Sequence, residues 1–177
     1  MKKIKSVNKP QQKAPMKGST KILIYSLGGI VLLLAVILIL IEGRSSIISI
    51  RNDSDIKLEY VKAYFVNMEG PVLEEKMIFE NLESGDHTKL DLEKINLSYQ
   101  EANLEIRFKF DGHDELFEDV GYFNEVFKGR INIDFKKTDE DGKLLLKVKA
   151  KNGVLPSPLT RCDEEHIINL TEGYVEE

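Results

Sequence analysis

Hydrophobic and polar positions change rhythm twice along this chain. Residues 1–21 are polar and broken by lysines, residues 22–41 are continuously apolar, and from Ile48 onward apolar and polar residues alternate. The middle stretch, ILIYSLGGIVLLLAVILILI, has twenty residues without a charge, fifteen of them Leu, Ile or Val. As a helix it rises about 30 Å, the thickness of a hydrocarbon core. A helix of that length with no polar face predicts one membrane span from Ile22 to Ile41, seated in the lipid bilayer. Ser26, Gly28, Gly29 and Ala35 are small enough for a helix–helix contact, so a homo-oligomer stays open, although no complete G-x-x-x-G is present.

Beyond the span the period is two. Ile48 and Ile50 alternate with polar residues, and residues 56–66 are rich in β-branched and aromatic side chains. There the apolar phase shifts near Tyr60–Val61, which predicts a bulge or burial on both faces. Further strands are predicted at 77–82, 89–92, 103–110, 130–136 and 144–150, with 137–142 as a hairpin connection. Seven or eight short strands at this spacing predict a mainly-β domain, an antiparallel β-sandwich of immunoglobulin-like or related topology. One stretch departs from the pattern. Leu116, Val120, Phe123 and Phe127 are spaced i, i+4, i+7, i+11, which predicts a short helical crossover over one end of the sandwich. Pro156 and Pro158 mark an irregular extension with room for a last strand at 166–170. The expected organisation is a basic tail (1–21), the span (22–41), a juxtamembrane segment (42–50), the sandwich (51–152) and the extension (153–177).

Charge sets the orientation. Seven lysines and no acid precede the span, whereas residues 42–177 carry 18 basic and 30 acidic residues, a net −12. The unopposed lysines predict a cytoplasmic N-terminus and an extracytoplasmic domain in the cell membrane. So acidic a domain is repelled by nucleic acid, which is excluded as a partner. A cleaved signal peptide needs an apolar run of about 7–15 residues and a small-x-small site. Gly43-Arg44-Ser45 fits poorly, so a retained signal-anchor is expected.

Candidate chemistry is sparse. Cys162 is the single cysteine, which rules out an internal disulfide and reads as a packed thiol. Cys162 with His166 offers a thiol and an imidazole, but no second ligand pair for zinc and no nucleophile signature surround them. The acidic runs 111–115 and 139–142 lack the alternating ligands and closing Glu of a calcium loop, so they read as solvated turns. No phosphate loop or G-x-S-x-G is present. The expectation is a protein that is not an enzyme and needs no cofactor. Asn52, Asn96 and Asn169 match the glycosylation acceptor pattern. Tyr64-Phe65, Tyr122-Phe123 and Phe127 read chiefly as core.

What remains is a membrane-anchored extracytoplasmic binding or scaffolding module. It would act through protein–protein contact with another envelope or membrane protein. The alternative is an accessory or sensor subunit of a transporter or signalling complex, and the third reading, behind both, is an exported enzyme. The contact surface is expected at Asp111, His113, Asp114, Tyr122 and Phe123, where acids surround aromatics on the least regular stretch.

Overall fold

The computed structural model describes residues 18–42, 46–72, 77–140, 142–153 and 155–171, the side chains of 39–42 excepted. The chain divides into two compact units, with the boundary between Ile39 and Leu40.

The first unit contains helix α1, Gly18–Glu42. It begins four residues before the apolar run and ends one after it, and it is long and apolar enough to cross a membrane. The hydroxyl of Ser26 donates to the Leu23 carbonyl at 2.9 Å, so the one serine in the apolar run satisfies its hydroxyl within the helix.

The second unit is built of strands, and their order follows the period-two runs. In chain order they are β1 (Ser46–Asp53), β2 (Leu58–Asn67), β3 (Gly70–Pro71), β4 (Met77–Leu82), β5 (His87–Leu92), β6 (Ile95–Asn96), β7 (Ala102–Phe110), β8 (Glu115–Phe123), β9 (Val126–Phe127), β10 (Arg130–Lys137), β11 (Lys143–Lys151), β12 (Thr160–Arg161) and β13 (Asp163–Asn169). One sheet has the order β13-β11-β10-β1-β5. The second runs β12-β8-β7-β2-β3, with β4 also paired to β2, and β6 and β9 form a short ribbon.

The two large sheets share one core, an arrangement that fits a β-sandwich. Phe135 of the first sheet lies edge-on to Phe108 (5.0 Å) and Phe110 (5.4 Å) of the second. Alternation explains which side chains meet. On β7, Leu104, Ile106, Phe108 and Phe110 are buried; on β10 it is Ile131, Ile133 and Phe135. Full burial stabilises each such side chain by about 1.5–3 kcal/mol. The phase shift foreseen in residues 56–66 is a bulge: the pairing of β2 with β7 slips between Leu58 and Tyr60, which lets Leu58 and Val61 both face inward.

Three expectations need correction. The sheets are not purely antiparallel, because β1 pairs β10 in parallel, Ile48 opposite Ile131 and Ile50 opposite Ile133. Residues 46–50, expected in the juxtamembrane segment, belong to β1 of the first sheet, while the C-terminal extension does supply a last strand, β13. The helical crossover over Leu116–Phe127 is strand β8, a turn and β9. Gly121 is the reason. Ala102 faces Phe123 and Leu104 faces Val120, so β8 spends one extra residue there, and Gly121 takes φ +74° to accommodate it.

Asn52 ties the sheets together. It is fully buried, and its Nδ2 donates to the carbonyls of Ile56 (2.9 Å) and Leu82 (3.0 Å), while its Oδ1 accepts from the Ser54 hydroxyl (2.6 Å). Those carbonyls lie beside the two places where the chain crosses between sheets, β1 to β2 and β4 to β5. A buried asparagine with its hydrogen bonds filled cannot serve as a glycosylation acceptor in the folded domain. Asn96, by contrast, is exposed.

Candidate functional site

The five residues expected to form a contact surface do not come together. Asp111, His113 and Asp114 occupy the turn between β7 and β8, where the Asp111 N–H donates to the Lys57 carbonyl (2.9 Å) and His113 Nδ1 lies 3.0 Å from the Leu170 carbonyl. Tyr122 and Phe123 lie at the far end of β8, about 26 Å away along an extended strand. Tyr122 is half-buried, its hydroxyl accepting from Asn124 Nδ2 at 2.9 Å. Phe123 is no surface residue. It is fully buried, 5.0 Å from the ring of Phe65 and 5.7 Å from that of Phe127.

The coherent cluster lies elsewhere, on the outer face of the second sheet, at the polar positions of β2, β7 and β8. Register places Lys62 beside Arg107 and Arg107 beside Phe117; Tyr64 pairs with Glu105 and Tyr60 with Lys109. Arg107 Nε donates to the Tyr64 hydroxyl (2.6 Å) and to Glu105 Oε1 (2.5 Å), while its Nη1 reaches Glu115 Oε1 (3.3 Å). Tyr64 donates to Glu105, and Tyr60 donates to Glu115. Lys62 Nζ sits 4.2 Å from the centre of the Tyr60 ring, and the Arg107 guanidinium 5.3 Å from that of Phe117. Sequence periodicity placed Phe65 inward correctly but grouped Tyr64 with it. The usable signal was a set of aromatics, Tyr60 and Tyr64, standing at polar positions of a strand.

The electrostatics of this face are settled at neutral pH. Partial burial pushes the Tyr60 hydroxyl up to about 12, with its bond to Glu115 next in importance. Burial and then Glu105 raise Tyr64. The Tyr60 hydroxyl and Arg107 hold Glu115 below its ordinary value, and Glu105 holds Arg107 firmly charged. Neutral tyrosines beside ions held by mutual contacts make a preordered surface.

A second feature is an open groove of about 530 Å³ between the end of β11 and residues 155–164, lined by Lys149, Asn152, Leu155, Thr160 and Cys162 among others. Cys162 is buried, with Sγ 3.8 Å from the Val148 carbonyl, and burial followed by the charge of Glu164 pushes its thiol up to about 12. It is a thiol, not a thiolate, at neutral pH. His166 lies between Glu118 Oε2 and Glu164 Oε2, each 3.3 Å away. Among the described residues no group of three His, Cys, Asp or Glu side chains is placed to hold a metal ion. In the loop before β11, Glu140 pairs with Lys143 Nζ at 2.6 Å.

Fold and site thus define a mostly-β domain on a chain whose N-terminal helix could span a membrane. No family model and no curated protein matches the sequence. An NMR structure of a protein from Eubacterium rectale is similar at 11% identity and a TM-score of 0.37, covering 63% of this chain and 92% of that one. A likeness that distant assigns nothing to this chain.

Proposed function

We propose that this chain is a membrane-anchored extracytoplasmic binding or scaffolding module that engages another envelope or membrane protein. In this reading the lysine-rich tail is cytoplasmic, α1 is a retained anchor, and the domain, an immunoglobulin-like or related sandwich, carries the contact. The observation that supports it is the outer face of the second sheet, where Tyr60, Lys62, Tyr64, Arg107 and Phe117 lie side by side. Tyrosine and arginine are enriched at interface hot spots, and side chains already held in place lose little freedom on binding. The contact surface is therefore moved from the 111–123 stretch to this face.

Two measurements test the reading. Protease added to intact spheroplasts should remove the domain while leaving the tail; a protected C-terminus would refute the orientation, and a mature N-terminus near Ser45 would refute the retained anchor. A photo-crosslinking residue at position 117 in intact cells should give one discrete adduct that Arg107→Ala and Tyr64→Ala diminish. The same probe at position 139 should give none. Equal adducts from both positions, or none from position 117, would defeat the assignment of this face.

A further inference from the structure

Outside α1, eight large apolar side chains among the described residues are exposed, and they are unevenly placed. Ile78, Leu90 and Ile167 lie within strands β4, β5 and β13. The other five, Met68, Tyr99, Val126, Leu155 and Leu159, belong to one end of the domain. Hydrogen bonds between loops establish this. Asn67 Nδ2 donates to Gln100 Oε1 (3.2 Å), the Leu97 N–H to the Glu125 carbonyl (3.3 Å), and the Asn124 N–H to the Leu159 carbonyl (2.9 Å). Asn152 Nδ2 donates to the Val126 carbonyl (2.9 Å). Met68 and Tyr99 are fully exposed at the tips of their turns, and Tyr99 holds a left-handed backbone (φ +64°) that a bulky residue adopts only at a cost.

The same end receives the chain from α1. The Ser46 hydroxyl donates to the Phe127 carbonyl (3.1 Å), and the Ile47 N–H to the Gly129 carbonyl (2.9 Å). Only residues 43–45 separate Ser46 from the last residue of α1. Covalent geometry alone keeps the Cα atoms of Glu42 and Ser46 within about 15 Å of each other. A span in α1 would therefore leave only three residues of chain before the strands begin.

The opposite end is built differently. None of the eight apolar side chains lies in its turns, which instead carry Asp55, Glu83, Asp86, Asp111, Asp114, Asp139 and Glu140, with Lys57 paired to Glu83, Lys137 to Asp55 and Lys143 to Glu140. At the Ser46 end Lys94, Lys128, Lys151 and Arg161 offset Glu69, Glu93, Glu101 and Glu125. Among these named residues, acids outnumber bases seven to three at the far end and are matched four to four at the Ser46 end. Tyrosine, methionine and leucine on a charge-balanced surface suit the boundary between headgroups and acyl chains, where an amphipathic ring keeps its hydroxyl in water.

We infer that Met68, Tyr99, Val126, Leu155 and Leu159, on the loops and the short β9 at this end, form a lipid-docking face that meets the bilayer interface. This rests on reading α1 as a retained span, and it leaves the outer face of the second sheet turned along or away from the membrane for a protein partner.

The chain has no tryptophan, so a single introduced one reports its surroundings without background. The full chain would be reconstituted in phosphatidylcholine vesicles containing lipid brominated near the headgroup or deep in the acyl chain. Tyr99→Trp should emit to the blue of water-exposed tryptophan, and shallow bromines should lower its intensity roughly twofold, deep bromines less. Met68→Trp should behave alike and stands in if the first variant misfolds. Asp139→Trp, at the acidic end, should be unaffected, while Leu33→Trp within α1 should be quenched best by deep bromines. Quenching at Leu33→Trp with water-like, unquenched emission at both loop positions would overturn the docking face and leave that end to a protein partner. An unquenched Leu33→Trp would overturn the anchor itself, and the docking face with it.

Discussion

Gly121 and Cys162 touch at the edge of the second sheet: a Cβ placed on the glycine would stand 2.7 Å from the Cβ of the cysteine and 3.0 Å from the Arg161 carbonyl. Its N–H also donates to Glu164 Oε1 at 2.8 Å. The bulge of β8 is therefore pressed against the short segment that carries the chain from β12 into β13, and so from one sheet to the other.

Gly121→Ala should cost about 2–4 kcal/mol, because it adds left-handed strain to a clash with backbone and side chain. Gly85→Ala, at φ +86° with nothing within 4 Å of the new Cβ, should cost only the strain, about 1 kcal/mol. Denaturant midpoints of the two variants, compared with the parent, check the difference. Equal losses would mean that the contact with Cys162 contributes nothing.

The same glycine explains what the sequence hid. Runs such as Leu104–Phe110 or Ile131–Phe135 keep an unbroken period of two, because each strand pairs without interruption and one face is buried. Around Gly121 the extra residue stretches the step from Val120 to Phe123 to three, and Phe127 then follows in a different strand. Spacings of four, three and four imitate a helix although no helix is there. The parallel partnership of β1 with β10 leaves no trace in periodicity, since alternation records which face is buried and not which strand lies alongside. The face carrying Tyr60, Tyr64 and Arg107 was hidden for a related reason: each residue is an ordinary polar-phase position alone, and only the register of three strands makes them neighbours.

Asn52→Asp should be more damaging than Asn52→Ala, although it is nearly isosteric. The carboxylate turns an acceptor toward the Ile56 and Leu82 carbonyls where a donor is needed, and it buries a charge or forces protonation. Losses of about 2–3 kcal/mol for alanine, and clearly more for aspartate, are expected. Thermal unfolding of the three proteins at one pH near 7 tests the order. Aspartate as stable as asparagine would show that the hydrogen bonds at the two crossings are not what holds them.

Alkaline pH should loosen the fold through Cys162. Its folded thiol ionises at about 12, the unfolded one near its ordinary value of 9.0. The unfolded state thus gives up its proton first. The stabilisation is complete below the unfolded value and is lost as pH rises from there toward 12. By pH 10 this removes about 1–1.5 kcal/mol. Cys162→Ala should flatten the difference between denaturant midpoints at pH 8 and pH 10. An unchanged slope would locate the effect elsewhere, Tyr60 being the next group to examine.

Acid should act on the outer face. Glu115 is held below its ordinary value, chiefly by the Tyr60 hydroxyl and then by Arg107. Its contribution is present above the unfolded value and fades as pH falls through the folded one. Because the side chain is about a third exposed, the contribution is about 1 kcal/mol or less. Tyr60→Phe should raise the carboxyl pKa of Glu115, read by carbon-13 NMR titration. A titration identical in both proteins would remove the hydroxyl from the account.

The parallel pairing of β1 also fixes an order of events at birth. β1 follows directly on α1 and is the first strand made, yet Ile48 must wait for Ile131, 83 residues further along, before its second edge is covered. Antiparallel pairing with β5 comes within reach much sooner. Closing so long a loop is entropically costly and slow. Until β10 is made, one edge of the strand that follows α1 stands open, and the first sheet is completed only late in synthesis. The assembly line is therefore timed by its earliest part: this domain cannot mature piecemeal as it emerges, and whatever guards the nascent chain has that open edge to hold.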